Sequence, residues 1–359
     1  MAVIKTKFGQ MPDGREISLY QMTNQKGVQA SVTDLGAIWV GLLAPDREGK
    51  FSDVLLGYDD ASGYLKNGPH FGSVVGRIAN RTAKARFSLH GKTYALTVNN
   101  GENNLHSGLD YYDKRLWDAR IDEEKNAVEF SLFSPDGDQG FPGNLRLSVT
   151  YELTEDSMVS ITYRAVCDQD TPLNLTNHAY FNLAGHDGGL VLSQKARILA
   201  DFYTPSAADS IPTGEVLKTA GTPMDFSAFK TMGKEIGAEF DQLLQAGGYD
   251  HNWCLKHERG AFSLAAEAKD EASGRHLSVY TDQPGVQFYT ANGLKEENGK
   301  NGAAYGPREA FCFETQNWPD AVNQPHFPSP VLKAGEEFVS RSEERRVGKE
   351  CRSRWSPYH

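Results

Sequence analysis

The chain has 359 residues, with 37 Lys and Arg against 47 Asp and Glu, and its formal net charge of −10 excludes a generic basic nucleic-acid binder. Hydrophobic residues make up 39% and aromatics 11%, which is enough apolar material for a sizeable core and excludes general disorder. The longest apolar stretch, residues 36–45, is far short of the ~18 or more residues a membrane helix needs. The N-terminus carries no apolar signal core, which predicts a cytoplasmic protein starting near Met1, with no membrane or nucleic-acid partner.

Strand signals dominate in chain order. An apolar run covers residues 32–43, and residues 85–89 and 93–98 flank His90-Gly91-Lys92 as a hairpin. Another run covers residues 127–133. Leu145, Leu147, Val149, Tyr151 and Leu153 then alternate with Arg146, Ser148, Thr150 and Glu152, the period of two of a half-buried antiparallel strand. A short turn leads to a second β-rich run over residues 158–166, so the two read as a hairpin. Similar runs recur at 173–183 and 279–290. Residues 233–246 alone read as a helix, with Ile236, Phe240, Leu243 and Leu244 on one face. Many strands at short spacing, with 35 glycines and 16 prolines between them, predict an all-β fold, a large antiparallel β-sandwich with few short helices. The cysteines at 167, 254, 312 and 351 form no C-x-x-C pair, so buried thiols are expected rather than a disulfide framework or a zinc site.

Four clusters of Asn, His, Asp, Glu and aromatics fall in the glycine- and proline-rich joints, where a scaffold presents functional groups. GSVVGRIANRTAK from Gly72 brings Asn80 beside Arg81, whose planar fork of donors suits adjacent hydroxyls or a carboxylate. NNGENNLHSGLDYYDKRLW from Asn99 contains His106. TPLNLTNHAYFNLAG from Thr171 places His178 in a strand-like apolar run. FCFETQNWPDAVNQPHFP from Phe311 sets Glu314 directly after Phe311-Cys312-Phe313, where a carboxylate must be hydrogen-bonded or have a raised pKa. Between them, GYDHNW at Gly248 and QPGVQF at Gln283 add Asp250 and Gln287 beside aromatics. Sugar sites use this mixture, because hydroxyls take bidentate polar partners while the C–H faces of the ring pack on aromatics.

Taken together, GRIANR at Gly76, NNLHSG at Asn103, NLTNHAYFNL at Asn174, GYDHN at Gly248, PGVQFYT at Pro284 and ETQNWPDAVNQPHFP at Glu314 resemble the aldose 1-epimerase (galactose mutarotase) family over nearly the whole span from Phe8 to about Glu337. The resemblance implies the galactose mutarotase-like supersandwich and a sugar site with His178 as general acid and Glu314 as general base. It places Asn80, Arg81, His106, Asp250 and Gln287 against substrate hydroxyls. The implied substrate is a free aldohexose such as D-glucose or D-galactose, the protein is a monomer or homodimer, and no metal, nucleotide or other cofactor is called for. An imidazolium near ~6.5 and a carboxylate near ~4.3 are expected to be correctly protonated together around neutrality.

Two other readings stay open from the residues. Asp250 and Glu314 could flank a glycosidic bond in a glycoside hydrolase, which leaves His178 without a role. A non-catalytic carbohydrate-binding protein would use the same aromatics and polar groups but needs no acid–base pair. The expected organisation is a single domain over residues 1–340. The string RSEERRVGKECRSRWSPYH, residues 341–359, has six Lys and Arg, three Asp and Glu, and no strand or helix period. It resembles a sequencing-adapter oligonucleotide translated in frame and reads as a non-native tail. Members of the family usually finish with a further strand after a segment like residues 335–338; if the tail leaves that strand missing, a sheet edge is unpaired and stability and solubility suffer.

Overall fold

The computed structural model describes residues 3–257 and 260–347. Strands Ile4–Gln10, Glu16–Thr23, Gln29–Thr33, Ile38–Pro45 and Phe51–Asp53 form an antiparallel sheet in chain order. A nine-stranded sheet runs through Asp118–Asp122, Ala127–Ser134, Leu145–Leu153, Met158–Cys167, Glu337–Val347, His276–Thr281, Ser263–Lys269, Lys195–Ile198 and Lys230–Thr231. A third sheet orders Leu217–Lys218, Ala200–Thr204, Asp250–Leu255, Gly285–Tyr289 and Cys312–Gln316. Every strand pair in these sheets is antiparallel, as the all-β reading requires.

One core joins the three sheets. Strand Leu145–Leu153 buries its odd-numbered residues and leaves the even-numbered ones partly or fully exposed, as its alternation dictates. Those side chains share a cluster with Trp39 and Val32 of the first sheet and with Trp253, Val286, Phe288 and Phe313 of the third. Each such side chain contributes roughly 1.5–3 kcal/mol when fully buried. The Tyr151 hydroxyl crosses the core to donate to Ala37 O at 2.8 Å, so the polar tip of this residue is satisfied where its ring is buried.

Several expected elements are shorter or divided. The run at 32–43 breaks between Thr33 and Ile38, where Gly36 (φ +69°) and Ala37 (φ +50°) turn the chain. A Cβ on Gly36 would lie 2.4 Å from Asp113 Cα, so only glycine fits this turn. The run at 279–290 is two strands in different sheets, parted at Asp282-Gln283-Pro284. Residues 173–183 are not a strand of either large sheet. Thr176–Asn177 pairs with Val74–Val75, and Asn174 and Phe181 make isolated bridges, while Leu173, Leu175, Tyr180 and Phe181 are buried on both sides of the chain. The helix read over 233–246 is confined to Asp241–Ala246, with Leu244 exposed and Gly247 in the left-handed region ending it. A second helix, Ala61–Lys66, begins at Asp60, whose carboxylate accepts from the Ser62 N–H at 2.8 Å. None of the helices described is long and apolar enough to cross a membrane.

The largest correction concerns the C-terminus. Residues 341–347 continue a strand from Glu337 to Val347 that pairs with Met158–Cys167 on one side and His276–Thr281 on the other. This seam is interior to the nine-stranded sheet, so the unpaired edge predicted for the end of residue 340 does not exist. Residues 348–359 of the tail, including Cys351, lie outside the described residues. Cys167, Cys254 and Cys312 are buried thiols, as expected. Ending the chain after Ser340 removes backbone partners from both neighbouring strands. The expected outcome is insolubility or a fall in Tm of at least about 8 °C by calorimetry; an unchanged Tm would show that the seam contributes nothing.

Candidate active site

Cross-strand register assembles one wall of the site. In the third sheet Asn252 stands opposite Gln287 and Gln287 opposite Glu314, while Asp250 stands opposite Tyr289 and Tyr289 opposite Cys312. Because side chains alternate between faces, His251, Trp253, Phe288 and Phe313 share the other face, and the last three join the core. Four of the residues on the polar face are therefore held by an apolar layer behind them. Gly285 lets the polar side pack closely, since a Cβ there would meet Asn252 Oδ1 at 2.3 Å.

The opposing wall comes from connections. His178 follows the Thr176–Asn177 pairing and is clamped at both backbone groups: its N–H donates to Ser73 O and its carbonyl accepts from the Gly72 N–H, each at 2.9 Å. Its ring stacks on Tyr180 at 5.0 Å and 9°. Asn80 and His106 both sit in the left-handed region, at φ +63° and +55°, a strained geometry found most often at functional sites. The Asn80 N–H donates to His106 Nδ1 at 3.1 Å. Burial, with the neighbouring His70, His178 and Arg81 adding to it, pushes the His106 pKa well below the usual value. His106 is therefore neutral with its proton on Nε2, a fixed donor. Arg81 is steadied by Nε donating to Asn100 Oδ1 at 3.0 Å.

These walls enclose a cavity of about 420 Å³, within the ~300–1,000 Å³ range of small-molecule sites. Asn80, Arg81, His106, His178, Asp250 and Glu314 all line it. Gln287 stands behind Asp250 and donates from Nε2 to its Oδ1 at 2.7 Å. The expected site residues thus converge from sequence positions up to 234 apart, Asn80 and Glu314 being the extremes. His70, Tyr111, Tyr180, Tyr289, Lys295 and Glu297 also line the cavity and were not singled out from sequence. Tyr111, Tyr180 and Tyr289 lie inside the quoted clusters, and His70 sits two residues before the first; Lys295 and Glu297 carry no signal of their own.

His178 and Glu314 meet at the centre, with Nε2 3.7 Å from Oε2. Glu314 is 2% exposed, and Oε2 finds no hydrogen-bond partner among the described residues. Burial, with the Asp250 charge adding to it and Arg81 opposing, raises the Glu314 pKa well above the usual carboxylate range. Burial and the neighbouring His70 push His178 down to about 3. The unperturbed values expected from sequence are therefore corrected in both directions: without a sugar the pair is a carboxylic acid beside a neutral imidazole, not an ion pair. On the far side of the ring, Cys312 Sγ lies 3.6 Å from Nδ1. The ligating atoms of His178, Cys312 and Glu314 fall within 4.8 Å of one another. Cys312 and Glu314 nevertheless face different nitrogens of the imidazole.

A buried acid whose pKa is raised opposes folding above its ordinary value near 4.5, because the unfolded chain ionises there at no cost. Glu314→Gln removes that term. The expected result is a Tm higher by about 2–6 °C at pH 8 and unchanged at pH 4; an equal shift at both pH values would locate the effect elsewhere.

Comparison with known proteins points the same way. The family model described as aldose 1-epimerase matches residues 18–343. The chain is 44% identical over 340 residues to the galactose mutarotase of Bos taurus, covering 94% of this chain and 96% of that protein. It is 36% identical over 334 residues to the aldose 1-epimerase of Escherichia coli K12, covering 92% and 96%. A crystal structure of an aldose epimerase homologue from C. elegans superposes with a TM-score of 0.85 at 29% identity, covering 92% of this chain and 98% of that one. That of galactose 1-epimerase from Lactobacillus acidophilus gives 0.84 at 25%, covering 97% and 99%. With a matched family spanning most of its length and relatives this similar across nearly all of theirs, the chain belongs to the aldose 1-epimerase family.

Proposed function

We propose that the protein interconverts the α and β anomers of free aldohexoses such as D-glucose and D-galactose, with His178 as general acid and Glu314 as general base. The observation that carries this reading is the 3.7 Å approach of the His178 imidazole to the Glu314 carboxyl inside a walled polar cavity. A hemiacetal has two oxygens on one carbon, and these two groups are spaced to meet one oxygen each. The names of relatives that are 36–44% identical support the same reaction class.

The chemistry balances without a covalent intermediate. Glu314 takes the proton of the anomeric hydroxyl while His178 gives a proton to the ring oxygen, and the C1–ring oxygen bond breaks to leave an aldehyde. Rotation about C1–C2 presents the other face of the carbonyl. The C5 hydroxyl then returns its proton to His178 as it attacks C1, and Glu314 protonates the new anomeric oxygen.

Burial sets how the pair shares its proton. The pair holds one proton throughout, as imidazolium with carboxylate when the ring is closed and as imidazole with carboxylic acid when it is open. These are two distributions of the same proton count. A dry site disfavours the charged distribution, so the proton must first move from Glu314 to His178 in the closed complex, and opening the ring returns the pair to the neutral distribution it has without sugar. Asp250, held by Gln287, and the donors of Asn80, Arg81 and His106 would bind the hydroxyls that do not react. A glycosidic hydrolase leaves His178 idle, and a binding module gains nothing from a buried carboxyl without a partner.

Freshly dissolved α-D-glucose or α-D-galactose, followed by polarimetry, should equilibrate faster with the protein. His178→Ala and Glu314→Ala should each lower turnover by roughly 10²–10⁴-fold with the fold intact. Near-normal rates in either variant would remove the assignment. The shifted pKa values also widen the pH range of the one-proton pair. At ordinary values it would span about pH 4.5 to 6.5; lowering His178 towards 3 extends the acid side and raising Glu314 extends the alkaline side. A kcat/KM plateau that extends beyond this range on both sides is the expected profile, and a narrow maximum near about pH 5.5 would contradict it.

A further inference from the structure

His70 lines the same cavity but has no role in the scheme above. Its Nδ1 lies 3.0 Å from Asp113 Oδ2. Asp113 is 1% exposed and also accepts from Ser73 Oγ at 2.8 Å. Burial works to raise the Asp113 pKa, yet the His70 hydrogen bond and the charges of His70 and Lys114 hold it below the usual value. An ionised carboxylate accepts a hydrogen bond from Nδ1 and leaves Nε2 as the ring atom free to meet a ligand. His106, whose Nδ1 accepts a backbone N–H, offers the opposite: a donor at Nε2. The two rings stand 5.4 Å apart at 68°. Two ring nitrogens side by side, one of them a fixed donor, can hold a single hydroxyl group between them.

Their placement relative to the reacting atoms selects which hydroxyl. His70 is in the left-handed region at φ +62°, fixed by its N–H donating to Asn67 O and its carbonyl accepting from the Ser73 N–H, each at 3.1 Å. Ser73 in turn accepts from the His178 N–H, so the two imidazoles are locked to one another with ring centroids 6.5 Å apart. Glu314 belongs to the sheet wall and meets His178 at Nε2; His70 belongs to the opposing loop wall with His106 and Tyr111. A pyranose with its anomeric oxygen at Glu314 and its ring oxygen at His178 continues beyond the ring oxygen into C5 and its exocyclic hydroxymethyl group.

We propose that His70, held by Asp113 and paired with His106, is a specificity-determining residue that binds the C6 hydroxyl of the hexose. The proposal rests on the anomer-interconverting reading of the site. Its test uses the wild-type protein and His70→Phe, with His70→Gln as a second variant, on α-D-galactose and on 6-deoxy-α-D-galactose by polarimetry, with circular dichroism as the check on folding. Wild-type acceleration of galactose equilibration tests the underlying reading by itself. The expected result is a loss of about tenfold in kcat/KM for galactose in both variants, while the 6-deoxy sugar changes less than twofold. Equal losses on the two sugars, or no loss on galactose, would overturn the proposal while leaving the reaction assignment standing.

Discussion

Desolvation of one carboxyl group governs the site. Glu314 follows two buried residues on a strand whose neighbours are buried too, and its Oε2 is buried with no hydrogen-bond partner among the described residues. In water a carboxylate is a weak base, and beside an imidazole it would form a stable ion pair. Removed from water, it binds its proton firmly and the imidazole loses its own. Burial thereby inverts the ordinary order of proton affinity, so that in the empty site the carboxyl holds the proton that in water would sit on the imidazole. A close hydrogen-bonded salt bridge at Oε2 would hold the carboxylate ionised, and none is made among the described residues.

Such a group must be held by a scaffold that does not relax around it. The sheet supplies half of that rigidity, because the row Asn252, Gln287, Glu314 is set by register and a slip of one residue would turn every member into the core. The other half comes from backbone hydrogen bonds between irregular segments. The loop from Asn67 to Ser73 is tied to His178 at both of its peptide groups, and Asn80 to His106 through side chain and backbone alike. Asn67, His70, Asn80, His106 and Ser107, all in the left-handed region, lie in these segments, on a core shared by all three sheets.

The sequence makes the fold class and the long regular strands legible, because alternation of burial is a local property. Leu145–Leu153 is delimited to the residue by its pattern alone. The same logic fails where a run is buried on both faces or changes sheet: residues 173–183 show apolar spacing but no ladder, and 279–290 hides a sheet-to-sheet crossing at Pro284. The site was legible as clusters of unusual polar residues between apolar runs, and six of the seven residues named from them line the cavity while the seventh, Gln287, supports one that does. His70 was not, since a histidine between Pro69 and Phe71 is unremarkable until Asp113, 43 residues on, is brought behind it. Nor were the shifted pKa values, which depend on what covers a group rather than on its neighbours in sequence.

The seam strand Glu337–Val347 shows the converse, structure placed where sequence gave no pattern. A central strand needs backbone donors and acceptors on both sides and small or apolar residues facing inward; Ser340 and Ser342 are buried and Arg341 is exposed, so this minimum is met. Its polar contacts reach towards the site. Ser340 Oγ donates to Asp282 Oδ1 at 2.8 Å, and the Arg341 N–H donates to Oδ2 of the same carboxylate at 2.9 Å. Asp282 lies in the turn by which the chain leaves the nine-stranded sheet and enters Gly285–Tyr289, the strand that carries Gln287. On the next strand, Thr315 Oγ1, adjacent to Glu314, donates to Ser342 Oγ at 3.2 Å. The seam therefore fixes the spacing between the two sheets directly behind Glu314. A change in its backbone path would act on the site through Gln287 and Thr315 without touching the sugar.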